Sequence, residues 1–509
     1  MWRLSVVLLV YGSGVSNARK NVLFLVMDDL RPDLGCYQDA DGPIPATPPI
    51  YTPNIDGLAG RSLLLKRAYV QQAVCGPSRS SLLTGRRPDT THVYDLVQYF
   101  RDVGGNFTTI PQFFKENGYI SAGIGKIFHP GKPSDFDDPV SWTEPYYHAK
   151  NLGWETKDRT WDAIPDELLQ DKPLIDELIA QRAVETLRHF ATGGKYEEKP
   201  FFVAVGFHKP HLPFVFPSSF LQHYPPESVQ LPDNPYAPDG MPPIAWSTYG
   251  EIRHFKDIIE LNITGAINTT LPDNDALSLR RAYWSSITFL DSLIGTVLEE
   301  LRSLGLENDT VVSLFGDHGW QLGEHAEWCK HTNFEIATHT PMMIHIPGLT
   351  DEGIVSDRLT EFVDLFPTLV EAAGLESMPL CPEDSSGVSV CREGESLMPL
   401  IENATAPWKT AAFSQFLRNK GPQLLVMGYS VRTEQYRYTE WPRYNMSTFT
   451  ALWDDMFGAE LYDHSIDPEE NRNRAYDEGY RDVIAELRHL LQDGWRSVLP
   501  NIALTDEQV

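Results

Sequence analysis

The sequence predicts an α/β protein, a large mixed and mostly parallel sheet flanked by helices, followed by a smaller α+β domain at the C-terminal end. Four continuous apolar runs of strand length, Val22 to Met27, Ile120 to Ile124, Phe201 to Phe207 and Thr310 to Phe315, each stop at polar, chemically capable residues. An apolar run without alternation marks a strand covered on both faces, and helical patterns separate the four, as a parallel sheet requires. In such sheets ligands sit beyond the carboxyl ends of the strands, so residues hundreds of positions apart are expected in one pocket.

Residues 1–18 read as a secretory signal, with Arg3 as its positive region, Leu4 to Val10 as its apolar one and Ser16-Asn17-Ala18 supplying small residues before the cleavage point. The first strand ends in Asp28-Asp29. Ile110 to Asn117 reads as a helix capped by Gly118, and the strand after it runs into Lys126 and His129. A helix over Ile175 to Phe190 precedes the strand that ends in His208-Lys-Pro-His211. The long stretch Leu277 to Leu304, closed by Gly305, leads to the strand that ends in Asp317-His318-Gly319. Segments 137–147 and 214–243, rich in Trp, Tyr and Pro, read as loops over the sheet. A stretch rich in Pro, Ser, Glu and Gly from Cys381 to Pro407 divides a catalytic domain, 19–400, from a C-terminal one, 401–509. Strands are expected there near 423–431 and 435–440, with a final helix over 480–495.

Composition narrows the function. Of 509 residues, 42% are apolar and 22% charged, which are globular proportions. Lys and Arg number 42 against 70 Asp and Glu, a net charge of −28. That balance argues against nucleic acid or an anionic membrane as partner, and any anionic ligand needs basic groups to converge locally. No later segment reaches the roughly 20 apolar residues that cross a bilayer, so no membrane span is expected. Six sequons, at Asn106, Asn262, Asn268, Asn308, Asn403 and Asn445, fit a secreted glycoprotein. Five cysteines are too few for a disulfide framework; Cys381 and Cys391 close a short loop and are expected to pair.

The chemistry concentrates in Cys75-Gly-Pro-Ser-Arg79-Ser-Ser-Leu-Leu-Thr-Gly85. A cysteine entering a helix beside a cation could be an activated thiolate nucleophile or a buried small residue. Asp28, Asp29 and Asp317 are hard oxygen donors suited to Ca²⁺ or Mg²⁺, with His318 beside them as ligand or donor. His325, Cys329 and His331 leave zinc as a lesser alternative. Arg79, Lys126 and Lys330 offer positive charge to an anionic ester, and His129 and His208 offer proton transfer.

Cys75-x-Pro-Ser-Arg79 followed by Leu83-Thr84-Gly85 resembles the signature of the type I sulfatase family, within the alkaline phosphatase superfamily. The resemblance implies that a formylglycine-generating enzyme oxidises Cys75 to Cα-formylglycine, whose hydrate supplies the nucleophile. It further implies one Ca²⁺ held by Asp28, Asp29, Asp317, His318 and the modified Cys75. Arg79 and Lys126 would steady the formylglycine, His129 would take the proton that lets sulfate leave, and His208 and Lys330 would contact sulfate or protonate the departing alcohol.

Val26-Met-Asp-Asp-Leu-Arg-Pro, Gly206-Phe-His-Lys-Pro-His and Gly316-Asp-His-Gly-Trp320 are similar to family members that remove the 2-O-sulfate of terminal iduronate from heparan and dermatan sulfate, usually in the lysosome. That likeness implies a uronate carboxylate in the pocket, for which Arg86, Arg87 and Lys330 are candidates, and sugar faces for Trp320 and Trp328. His331 stands where those members carry tyrosine, a change that could alter carboxylate recognition. A sulfatase of another sulfated glycan, a phosphate or phosphonate ester hydrolase, a non-catalytic glycosaminoglycan-binding protein and an enzyme secreted outright stay open.

Overall fold

A computed structural model describes residues 19–38, 50–131, 134–192, 199–421 and 424–500, so the leader expected over 1–18 lies outside the described residues. At its centre is a seven-stranded sheet of β1 (Asn21–Met27), β2 (Leu63–Tyr69), β3 (Ile120–Gly125), β4 (Phe201–Gly206), β5 (Thr310–Gly316), β6 (Met342–His345) and β7 (Ile354–Glu361). Its order is β7-β2-β6-β5-β1-β4-β3, and only β6 runs antiparallel to its neighbours.

The four apolar runs are the contiguous strands β5, β1, β4 and β3, and their continuity has a direct cause. Leu23, Leu25, Val203, Val205, Val312 and Leu314 point into one core, packed by α3 (Ile175–Ala191) and α4 (Asp273–Ser303). The alternate residues Val22, Phe24, Val26, Phe202, Ala204 and Phe315 point into a second core, packed by α1 (Cys75–Thr84), α2 (Ile110–Glu116) and α5 (Leu365–Ala372). Both faces are buried, so neither face of these strands can be polar. Val26 stands opposite Gly206 on one side and Phe315 on the other, and Ile124 opposite Val205. This register brings the residues that follow all four strands to one edge.

After the Cys381–Cys391 disulfide (Cα–Cα 4.9 Å), four antiparallel strands, β8 (Ala412–Asn419), β9 (Leu425–Arg432), β10 (Tyr436–Asn445) and β11 (Thr450–Asp463), form a second sheet packed by α6 (Arg481–Asp493). The Ser414 hydroxyl donates to the Val70 carbonyl at 2.6 Å and the Gln415 amide to that of Gln71 at 2.8 Å, tying this sheet to the segment just before Cys75. Three strands of the main sheet, β2, β6 and β7, escaped the sequence reading. So did a short parallel pair, Trp161–Ile164 with Phe214–Pro217, the second of which lies in a segment read as loop.

Candidate active site

Cys75 is the first residue of α1, and Arg79, one turn on, shares its face of the helix. From there the Arg79 guanidinium donates to Asp317 Oδ2 at 2.8 Å, to Asp28 Oδ1 at 3.2 Å and to the carbonyls of Lys126 and Ile127. Cys75 Sγ lies 3.3 Å from Asp28 Oδ1, 3.4 Å from His318 Nε2 and 3.7 Å from Lys126 Nζ. Burial, with Asp28 beside it, pushes the thiol well above its ordinary value. Lys126 and Lys330 pull the other way but do not overcome burial and the carboxylates, so the side chain is held as its thiol.

Asp28, Asp29, Asp317 and His318 are completely buried around this sulfur. The Asp29 amide donates to Asp317 Oδ1 at 2.9 Å, and Lys330 Nζ reaches both Asp29 oxygens at 2.8 and 3.0 Å. Lys126 pairs with the other oxygen of Asp28. Burial opposes the charge on Asp28, but Lys126, His211 and Arg79 hold its carboxyl well below the usual range. Asp29 goes the other way, raised by burial despite Lys330.

The donor set says what the cluster is built for. His318 Nδ1 is 3.0 Å from its neighbour's carbonyl, Gly319 O, which turns Nε2 toward the carboxylates. Nε2 lies 3.4 Å from Asp29 Oδ1 and 3.6 Å from Asp317 Oδ1. Carboxylate oxygens, an imidazole nitrogen and Cys75 Sγ converging at this spacing fit a divalent metal. The carboxylates of Asp28, Asp29, Asp317 and Glu251 gather here with Arg79, Lys126 and Lys330 as their fixed cationic partners.

The rim carries two groups that sequence reasoning missed. Glu251 Oε1 accepts from Lys330 Nζ at 3.2 Å and lies 3.1 Å from His211 Nε2, and the same imidazole is 4.0 Å from Asp29 Oδ2. His211 had a visible signal, the second histidine of His208-Lys-Pro-His211; Glu251, in an unpatterned loop, had none. Burial resists the charge on His211 but Asp29 raises it. His208 differs: burial pushes its imidazole down to about 3, with Glu155 opposing and Lys126 adding to the push. Its backbone amide is held by Asp176 at 2.7 Å. His129, pushed down to about 4 by burial and Lys126, has a buried Nδ1 without a hydrogen-bond partner. His331 lies 4.0 Å from Glu251 and packs near Phe416 of β8, bringing the C-terminal sheet to the rim.

Four sugar-contact candidates are buried against other partners. Arg86 is fully buried over the Phe107 ring and donates to the carbonyls of Ser385 and Val388, spending its donors on holding the 381–391 loop. Arg87 forms a two-pronged pair with Glu361 at 2.6 and 2.8 Å. Trp320 and Trp328 have 0% and 1% of their surface exposed, inside the first core, so neither presents a face to a sugar. Nor do the zinc candidates meet: His325 turns to the Glu469 carbonyl at 2.7 Å and packs on Phe334.

Comparison with known proteins agrees with this geometry. A family sequence model described as Sulfatase matches residues 20–375, and one described as N-sulphoglucosamine sulphohydrolase, C-terminal, matches 323–496. The chain is similar to iduronate 2-sulfatase of Mus musculus, 38% identical with 92% of this chain and 93% of the relative covered. It is also similar to the Homo sapiens enzyme of that name, 39% identical with 89% and 90% covered. A solved structure described as a 2-O GAG sulfatase shares the fold with a TM-score of 0.67, 22% identity and coverage of 93% and 91%. The phosphonate monoester hydrolase of Silicibacter pomeroyi shares it at a TM-score of 0.69, 21% identity and coverage of 95% and 96%. A buried thiol set among metal-ligating side chains is in keeping with these relatives, and the chain belongs to the sulfatase family.

Proposed function

We propose that this protein hydrolyses the 2-O-sulfate ester of terminal iduronate in heparan sulfate and dermatan sulfate. The observation that carries the reading is the 38–39% identity to iduronate 2-sulfatases across about nine-tenths of the chain. Formylglycine made from Cys75 would supply a hydrated aldehyde as nucleophile, and a divalent metal, which we take to be Ca²⁺, would polarise a sulfate oxygen. Asp28, Asp29, Asp317 and His318 Nε2 would hold that metal.

The chain's own residues do the rest. Arg79 locks Asp28 and Asp317 in place and, with Lys126, offsets their charge. Burial and Lys126 push the His129 imidazole down to about 4, which favours the neutral form that can accept a proton, as the step that frees sulfate requires. Lys330 and His211, both held by Glu251, are placed to bind sulfate and to give a proton to the departing sugar oxygen. His208 is kept uncharged by burial, so a role as proton donor fits it less well than His211.

We place the protein in the secretory pathway and then the lysosome, after modification by a formylglycine-generating enzyme. Supporting this, Asn106, Asn262, Asn268, Asn308 and Asn403 are exposed and Asn445 half-buried, and the disulfide suits an oxidising compartment. We divide the chain near residue 400 into the two domains expected from sequence. The test is sulfate release at acidic pH from a disaccharide with terminal 2-O-sulfated iduronate, against 6-O-sulfated glucosamine and an aryl sulfate. Preference for the iduronate is expected; turnover of the other two alone would refute the specificity.

A further inference from the structure

Glu251 carries the same sign of charge as the ligand its neighbours are placed to bind. Its Oε1 lies 3.2 Å from Lys330 Nζ and 3.1 Å from His211 Nε2, and its Oε2 lies 3.2 Å from the same ammonium. Lys330 does not serve Glu251 alone, since both Asp29 oxygens take it at 2.8 and 3.0 Å. The side chain of Glu251 is 19% exposed and those of His211 and His331 are 26% exposed, whereas Asp28, Asp29 and Asp317 are fully buried. Glu251 therefore lies between the buried cluster and solvent.

The fold fixes this placement. Arg418 of β8 donates to the Ile244 and Ala245 carbonyls at 3.2 and 2.7 Å, and the Ser247 amide donates to Glu327 Oε1 at 2.9 Å. Tyr249 takes a φ of +36°, which a bulky residue seldom adopts, and its hydroxyl donates to the Thr269 carbonyl at 2.6 Å. On the far side of Glu251, Ile252 is buried in the first core. A carboxylate on a loop fastened at both ends is a standing part of the pocket.

We propose that Glu251 is a discriminating residue for the sulfatase reaction, which favours the monoanionic sulfate ester over the dianionic sulfate ion and so promotes release of the product. The inference rests on the reading that Lys330 and His211 take the sulfate group. Hydrolysis turns a singly charged ester into a doubly charged ion, and cations that seat the first hold the second more tightly. A fixed negative charge beside those cations acts on each anion in proportion to the anion's own charge. Its effect on the logarithm of affinity is therefore twice as large for product as for substrate. Substrate binding is weakened a little and product binding more, which is the sense an enzyme needs where product release limits turnover. A carboxylate that only clamped Lys330 in place would strengthen the binding of both anions.

The experiment is competitive inhibition of aryl sulfate hydrolysis by inorganic sulfate, a dianion, and by methyl sulfate, a monoanion with the same tetrahedral head. It is run on wild type, Glu251→Gln, Glu251→Asp and Lys330→Met. Glu251→Gln is expected to tighten sulfate about tenfold and methyl sulfate only about threefold, so the ratio of the two inhibition constants falls. Glu251→Asp keeps the charge and should hold the wild-type ratio. Inhibition constants do not depend on the fraction of a preparation that is folded or converted to formylglycine, so partial misfolding does not imitate the shift. Calorimetric titration of both anions into Cys75→Ala protein, with and without Glu251→Gln, reads the same ratio without turnover. A ratio unchanged or raised in Glu251→Gln overturns the inference. Lys330→Met separates that failure from failure of the reading beneath it: weaker binding of both anions supports Lys330 as a seat of the sulfate, and unaltered binding overturns both.

Discussion

Among the described residues, carboxylates and histidine come close enough to ligate a metal both at the strand ends and at the junction with the C-terminal sheet, and the two places are built differently. At the junction with the C-terminal sheet, Glu335, His464 and Glu470 converge, but every carboxylate oxygen is taken. Glu335 accepts from Tyr69, Arg432 and Arg437, and Glu470 from Arg437 and from the Glu335 amide, with His464 at 3.0 Å. At the strand ends, Asp28, Asp29, Cys75 and His318 also converge, and the carboxylates there are paired as well, by Lys126, Lys330, Arg79 and the Asp29 amide. The difference lies in the histidines: both ring nitrogens of His464 have partners at 3.0 Å, Arg432 and Glu470, whereas His318 Nε2 meets Cys75 Sγ and Asp29 Oδ1 only at 3.4 Å. Proximity of ligating atoms does not separate the two cases, whereas the partners of the imidazole do.

The largest effect that tests this contrast is on activity. Cys75→Ala is expected to remove turnover by on the order of 10⁴-fold or more while the thermal midpoint stays near wild type, measured by sulfate release and calorimetry. The closed cluster should answer in reverse. Glu335→Ala leaves Arg432 and Arg437 buried without their shared partner, so stability should fall by about 3–5 kcal/mol in denaturant titration, with turnover per folded molecule retained. If Glu335→Ala instead kept its stability and shed a bound metal, the comparison would be wrong.

Smaller effects sharpen it. Asp317→Asn should weaken metal retention and rate together by at least about 10-fold, read by elemental analysis after dialysis alongside initial rates. Lys330→Met should raise KM for the uronate substrate by roughly 10–100-fold, while Arg86→Met, which removes a clamp on the 381–391 loop, should lower the thermal midpoint and leave KM where it was.

The pH dependence of stability is a further handle, away from both clusters. Burial pushes the Glu327 carboxyl from 4.5 up to about 8, with the Ser247 amide opposing. The folded protein keeps that proton while the unfolded chain releases it, so this group's contribution is complete below about 4.5 and is lost as pH rises through about 8. Glu327→Gln should therefore match wild type near the lower limit and exceed it at the upper one, by on the order of a few kcal/mol in melts across that range.

Much of this site was legible in the sequence because its residues follow continuous apolar runs. Asp28, Lys126, His208 and Asp317 were found by the abrupt end of a strand, and the parallel sheet does the assembling. Glu251 could not be found that way: its loop has no periodicity, and only the fold brings it to Lys330. Arg86 and Arg87 were misread for the converse reason, since a basic pair after the helix looks free until tertiary structure supplies carbonyls to one and Glu361 to the other. Trp320 and Trp328 were taken for a sugar platform where long-range packing makes them core. The strands β2, β6 and β7 carry no long apolar run: Lys66-Arg67 interrupts β2, Asp357-Arg358 interrupts β7, and β6 spans only four residues.

Activity turns on what Cys75 becomes. The most direct measurement is peptide mass spectrometry of residue 75 in secreted protein prepared with graded amounts of formylglycine-generating enzyme, each preparation assayed for sulfate release. Turnover proportional to the fraction converted to the aldehyde, and none from the thiol form, is the predicted result. Full turnover from protein whose Cys75 remains a thiol would contradict it.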